Sequence, residues 1–154
     1  MLNQVTSDPA AQLRVTQMIG AALLMGVVIF AAIAAVISPM GQALEAVAYG
    51  LDPIALVAVL LTISVIPLSF FIPARMIDSA RGASPAQRGR VFRTSKILAA
   101  ALCEAPALLW CVGLLLSGNR WFLVPIAMIA TLMALQIATR GAFESATGQR
   151  TGGN

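Results

Sequence analysis

The chain has 154 residues, 59% of them apolar and 10% charged, and its mean hydropathy is +0.89. A water-soluble domain typically carries about 25% charged residues, so the composition excludes an ordinary soluble fold. The formal net charge of +4 would suit nucleic acid, but the charges are gathered at a few points between long uncharged runs. They read as membrane topology and contact with anionic lipid, with no nucleic-acid partner.

Uncharged runs cover 15–44, 53–74 and 121–139, and the run 97–119 contains Glu104 as its one charge. Each reaches the roughly 17 to 25 residues that a helix needs to cross a bilayer. The runs are continuous and rich in Ala, Leu, Ile and Met, without the alternating polarity of barrel strands, so helices are expected. The predicted fold is all-α: a four-transmembrane-helix bundle forming one integral membrane domain, with helices at about 15–37, 54–74, 97–116 and 121–139 and a cytoplasmic loop at 75–93.

In chain order, residues 1–14 form a short lead, and Ser7 or Asp8 followed by Pro9 is a plausible helix start. About fourteen residues precede the first span without an opening basic cluster, unlike a cleaved signal. Helix one carries small residues four apart, Ala22 with Gly26 and Ala31 with Ala35, a spacing that lets another helix approach closely. Residues 38–53 form an outer loop with room for an interfacial helix, Tyr49 lying at headgroup depth. Helix two contains Ser64 and Pro67, and the proline predicts a kink because it lacks a backbone donor.

The connection at 73–96 holds Arg75, Arg81, Arg88, Arg90, Arg93 and Lys96 against a single acid, Asp78. Nine of the ten basic residues fall there, in the N-terminal segment or in the C-terminal tail, with Arg120 the exception. The positive-inside rule then places both termini and this loop in the cytoplasm, as in a bacterial inner-membrane protein. The basic loop is the candidate contact surface for a soluble partner or for acidic headgroups. Ser117–Gly118–Asn119–Arg120 is a tight-turn signal. Trp121 and Phe122 anchor helix four at the outer interface, Gly141 is a candidate cap, and the last tail residues are expected to be disordered.

Glu104 is the feature around which these elements are organised. It lies eleven residues beyond Arg93, about 16 Å of helical rise, near the middle of a hydrocarbon core about 30 Å thick. An acid at that depth is a functional candidate by default. With no basic residue at that depth, the carboxyl is expected to be buried and neutral. Pro106 leaves the Leu102 carbonyl without its helical donor, and a protonated Glu104 would serve that carbonyl locally. Cys103 and Cys111 are eight residues apart, about 12 Å along a helix and too far for a disulfide. With no His in the chain, they read as buried small hydrophobes, and neither a metal site nor a cofactor is expected. No nucleophile with a base and no paired acids fall within the spans, so the chain does not read as an enzyme.

The two halves align at a fixed offset of 79 residues. Arg14 falls on Arg93, Thr16 on Ser95, Gly20 on Ala99, Leu23 on Leu102 and Gly26 on Ala105, while Met25 takes the place of Glu104. This reads as a tandem duplication of a helical hairpin in which one copy carries the acid. The run R-T-S-K-I-L-A-A-A-L-C-E-A-P-A-L-L at 93–109, entered from the arginine-rich loop, resembles the ion-carrying helix of rotary ATPase c-subunit or proteolipid proteins, including their duplicated four-helix forms. The likeness covers about 93–116, and helix two departs from it by lacking glycine and carrying Pro67, Phe70 and Phe71. By that resemblance Glu104 would carry a proton or ion, and the central loop would face soluble rotor parts. The resulting expectation is a small structural or accessory subunit of a larger membrane complex with a buried Glu in helix three. The alternatives are a proteolipid-like ion-translocating subunit acting through Glu104 with Pro106 and Met25 at its site, and a homo-oligomeric carrier or channel. Membrane lipids and other membrane subunits, or further copies of the chain, are the expected partners.

Overall fold

A computed structural model of the chain describes residues 9–38, 53–137 and 139–148. Among these the fold is all-helical, without a strand. Three long helices, α1 (Pro9–Ile37), α2 (Pro53–Ser79) and α3 (Pro85–Ser117), are followed by a 3-10 turn at Arg120–Phe122, by α4 (Leu123–Gln136) and by the short α5 (Arg140–Thr147). By length and composition three helices are able to cross a membrane, or four if α4 with its 3-10 turn and the bent α5 count as one span.

The boundaries differ from the expectation mainly at the basic connection. Only 80–84 is non-helical between α2 and α3, so most of 75–93 is helix. The cause is local: the Ser84 side chain accepts from the Gln87 N–H, and Pro85 occupies the first turn, where its missing donor costs nothing. α1 begins at Pro9, while the candidate caps Ser7 and Asp8 lie outside the described residues, as do residues 39–52 with Tyr49. α2 runs as one helix through Pro67 and Pro73. Gly118 ends α3 in the left-handed conformation, φ +67°, its N–H returning to the Leu114 carbonyl. A side chain there would clash with its own backbone, so glycine fits the turn.

The last span departs further. α4 stops at Gln136, and the tail begins with a helix whose N-cap is Thr139, accepting from the Ala142 N–H. Gly141 lies inside α5, and the cap is Gly148. α5 places Phe143 and Thr147, four apart and both buried, on its inner face.

α3 is the axis of the bundle and packs against α1, α2, α4 and α5. Half of its most apolar stretch is buried, against 17% in α1 and 11% in α2. Its inner positions are mostly small, with Gly89, Ser95, Ala99, Ala100, Cys103, Ala107, Cys111 and Gly113 all buried. Small side chains let neighbouring backbones come close. α1 and α2 flank α3, and the substantial contacts of each are with α3 rather than with each other. α3 and α4 do pack closely, so the two sequence halves are not packed alike.

Two clusters fix the direction of the helices. At the basic end Leu13 of α1, Phe92 of α3 and Phe143 of α5 form a buried group with Ile77 of α2 against it. The Phe92 and Phe143 rings meet edge to face at 5.4 Å. The larger core runs from there to the opposite end, where Trp110 and Phe122 meet at 5.2 Å. Beginnings of α1 and α3 thus meet the end of α2, and the three long helices alternate in direction.

Phe122 reaches its place because Gly113 faces it. A Cβ at Gly113 would lie 2.8 Å from Phe122 Cε2 and 3.4 Å from Ile54 Cγ2. Gly113→Ala is therefore expected to destabilise the bundle by about 1–3 kcal/mol, the usual cost of overpacking a filled core. Thermal unfolding in mild detergent measures this, and the added variant Phe122→Leu should recover part of the loss because it vacates the contested space.

Candidate functional site

Glu104 is not buried, and among the described residues no charged side chain is. This corrects the buried acid expected from the sequence. The reason is helical phase. The inner face of α3 follows Phe92, Ser95, Ala99, Cys103, Pro106, Ala107, Trp110 and Leu114, and Glu104 falls just past Cys103 on its rim. The exposed strip beside it carries Arg90, Arg93, Thr94, Ala101, Ala105 and Leu116. Partly exposed, Glu104 makes no hydrogen bond or ion pair with any described residue. The local bond expected between it and the Leu102 carbonyl is not formed. A function resting on an acid enclosed in the chain's own core is overturned by this placement.

The other expected site residues lie in different environments. Pro106 is buried in the core of α3, and Met25 is 57% exposed on the outer surface of α1. Met25 and Glu104 thus lie on separate helices, Met25 exposed and Glu104 partly exposed. Both Cys103 and Cys111 are buried and unbridged.

The basic residues divide into three environments. Arg81 pairs with Asp78 at 2.7 Å in the exposed turn between α2 and α3, an arrangement that contributes little to stability in water. Arg88 and Lys96 are drawn inward: an Arg88 nitrogen lies beside Gly148 at the end of α5, and Lys96 Nζ stands 5.8 Å from the Phe92 ring centre. That distance is within reach of a cation–π contact. Arg75, Arg90 and Arg93 stay exposed and form no ion pair with the described residues.

The interior holds polar groups that the sequence reading passed over. Ser69 of α2, Cys103 of α3 and Gln136 of α4 meet where three helices converge. The Ser69 hydroxyl donates to the Ile66 carbonyl at 2.7 Å. It accepts from the Gln136 amide and from the Cys103 thiol, each at 3.4 Å. One donor and two acceptor lone pairs are what a hydroxyl has, so Ser69 is fully used. Towards the opposite end, Trp110 Nε1 donates to Thr62 Oγ1 at 3.0 Å, and the Thr62 hydroxyl donates to the Ala58 carbonyl at 2.6 Å. A signal for Gln136 was present, because it is the one amide in 121–139 and a polar residue inside a span usually turns to the bundle interior. These seams link α2 to α3 and α4 by hydrogen bonds with defined partners, and they hold the helical phase that turns Glu104 outward.

With this geometry in hand, comparison with protein families, curated proteins and solved structures returns no match. The candidate site is therefore defined by its own chemistry: one unpartnered carboxyl on the outer flank of the central helix, between exposed Ala101 and Ala105 and adjoining a basic end.

The interior seam is directly measurable. Ser69→Ala and Gln136→Leu should each destabilise the bundle and be non-additive, with a coupling of about 0.6 kcal/mol, the mean for hydrogen bonds between membrane helices. Unfolding of the two single variants and the double variant in one detergent gives the cycle. Strict additivity would mean that the amide and hydroxyl do not interact.

Proposed function

We propose that the chain is a membrane-embedded docking protein, inserted with its basic end towards the cytoplasm, that binds a partner transmembrane helix through the outer flank of α3. Glu104 is the polar contact of that interface. The observation that carries this reading is the partly exposed carboxyl without a partner among the described residues. At the centre of a membrane helix an acid costs about 2.5–3.5 kcal/mol on insertion scales. A hydrogen-bonding group on a second helix offsets that cost, whereas lipid tails offer none. The exposed Ala105 beside it leaves room for a backbone to approach.

This reading differs from an acid that serves the chain's own core, and it assigns Glu104 to association rather than to transport. The bundle supplies the rigidity. α3 is fixed on its inner sides by α1, α2 and α4, so its flank is presented in one rotational setting.

A photo-crosslinking residue at Ala105 in native membranes, with one at Ile63 on the outer face of α2 as reference, tests the proposal. The expected result is a discrete adduct from position 105 alone. Its mass distinguishes a second copy from another protein. Glu104→Gln, which keeps a hydrogen-bonding side chain, should retain the adduct, and Glu104→Leu should lower it about tenfold, the effect of losing a strong interhelical polar contact. An adduct unchanged by Glu104→Leu, or no discrete adduct at position 105, would exclude the docking role.

A further inference from the structure

We propose that the basic end of the exposed α3 face binds an anionic phospholipid. Arg90, Arg93, Thr94, Ile97, Leu98 and Ala101 line one shallow groove. Its order along the helix is two guanidinium groups three residues apart, then a hydroxyl, then an apolar floor. A membrane phospholipid presents the matching order along the bilayer normal: phosphate, ester-bearing glycerol, acyl chain. From Arg93 to Ala101 is eight residues, about 12 Å of rise, enough for a headgroup phosphate and the upper part of a chain to engage together.

The two arginines are available for this role. They are exposed and form no ion pair with the described residues, and the one acid of the connection, Asp78, is already held by Arg81. A guanidinium offers planar, paired donors that match phosphate oxygens, so two of them one turn apart make a phosphate clamp. Headgroup charge sets the selectivity. A choline or ethanolamine ammonium would sit against the same guanidinium pair and be repelled, while a glycerol headgroup adds no cation. A free phosphate ester would meet the clamp but leave Ile97, Leu98 and Ala101 unused, so the lipid is the occupant. The groove ends at Ala101, one turn short of Glu104, and the inference therefore stands apart from docking at that residue. It rests on membrane insertion alone.

The test uses the full chain, reconstituted in vesicles and then released in mild detergent for native mass spectrometry. Retention in alkaline-washed vesicles scores insertion separately. Added phosphatidylglycerol should bind with clear preference over phosphatidylcholine, and glycerol 3-phosphate should not compete. Arg90→Gln and Arg93→Gln should each lower phosphatidylglycerol binding about fivefold, the scale of one basic residue at an anionic surface. Arg93→Lys should lose less, and Arg120→Gln at the opposite end should change nothing. Because Arg90 and Arg93 are exposed, unfolding temperatures of these variants should match the parent. Equal binding of the two lipids, competition by glycerol 3-phosphate, or an equal loss from Arg120→Gln would each overturn the site while leaving insertion intact. Failure of retention would overturn the membrane placement and this site with it.

Discussion

The close packing of α3 against its neighbours is the constraint on which the rest of the structure depends. Small residues at Ala99, Ala100, Cys103, Ala107 and Gly113 let α1, α2 and α4 approach one helix from different sides. The aromatic pairs stand towards the two ends, Phe92 with Phe143 and Trp110 with Phe122, where they lock the approach already made. The two aromatic pairs, set apart along the bundle, fix the axial register of the helices. The rotation of α3 follows from the same contacts, which hold Ser95, Ala99, Cys103 and Ala107 in the bundle.

That rotation assigns the chemistry. With Cys103 turned in towards Ser69 and Gln136, Glu104 falls about 100° further round the helix, at the rim. The interior therefore keeps neutral polar groups whose hydrogen bonds close on one another, which stabilises a low-dielectric core at modest cost. The outer face keeps an acid at mid-helix and a pair of arginines towards the basic end, while Arg88 and Lys96 are partly buried. One face of one helix thus carries both candidate contacts, the first matched to a partner helix and the second to an anionic headgroup.

Much of the helical content was legible because hydropathy alone sets it. Spans at 54–74 and 97–116 fall inside α2 and α3, and Pro9 and the turn at Gly118 lie where helices begin and end. The basic connection was misread as loop because charge was taken for irregularity. Ser84 with Pro85 is a helix start, and the arginines beyond it ride on the first turns of α3. The break between Gln136 and Arg140 was likewise hidden, because Ile137 and Ala138 continue the apolar run while Thr139 caps a new helix.

The sequence by itself determined that the chain is helical, where its apolar stretches lie and how its charges are distributed, because these depend on composition along a single segment. It also marked Glu104 as exceptional. Only the tertiary structure decided which way that acid faces. Beyond Lys96, α3 has Glu104 as its one charged residue, so no polar stripe sets the phase of that stretch, and an acid there is equally compatible with core and surface. The phase came from elsewhere: from Gly113 admitting Phe122, from Trp110 reaching Thr62, and from the Ser69, Cys103 and Gln136 seam. The hydrogen bonds among them join residues 33 to 67 positions apart in the chain. They exist only once the helices have packed, and they turn the marked residue from the core to the flank.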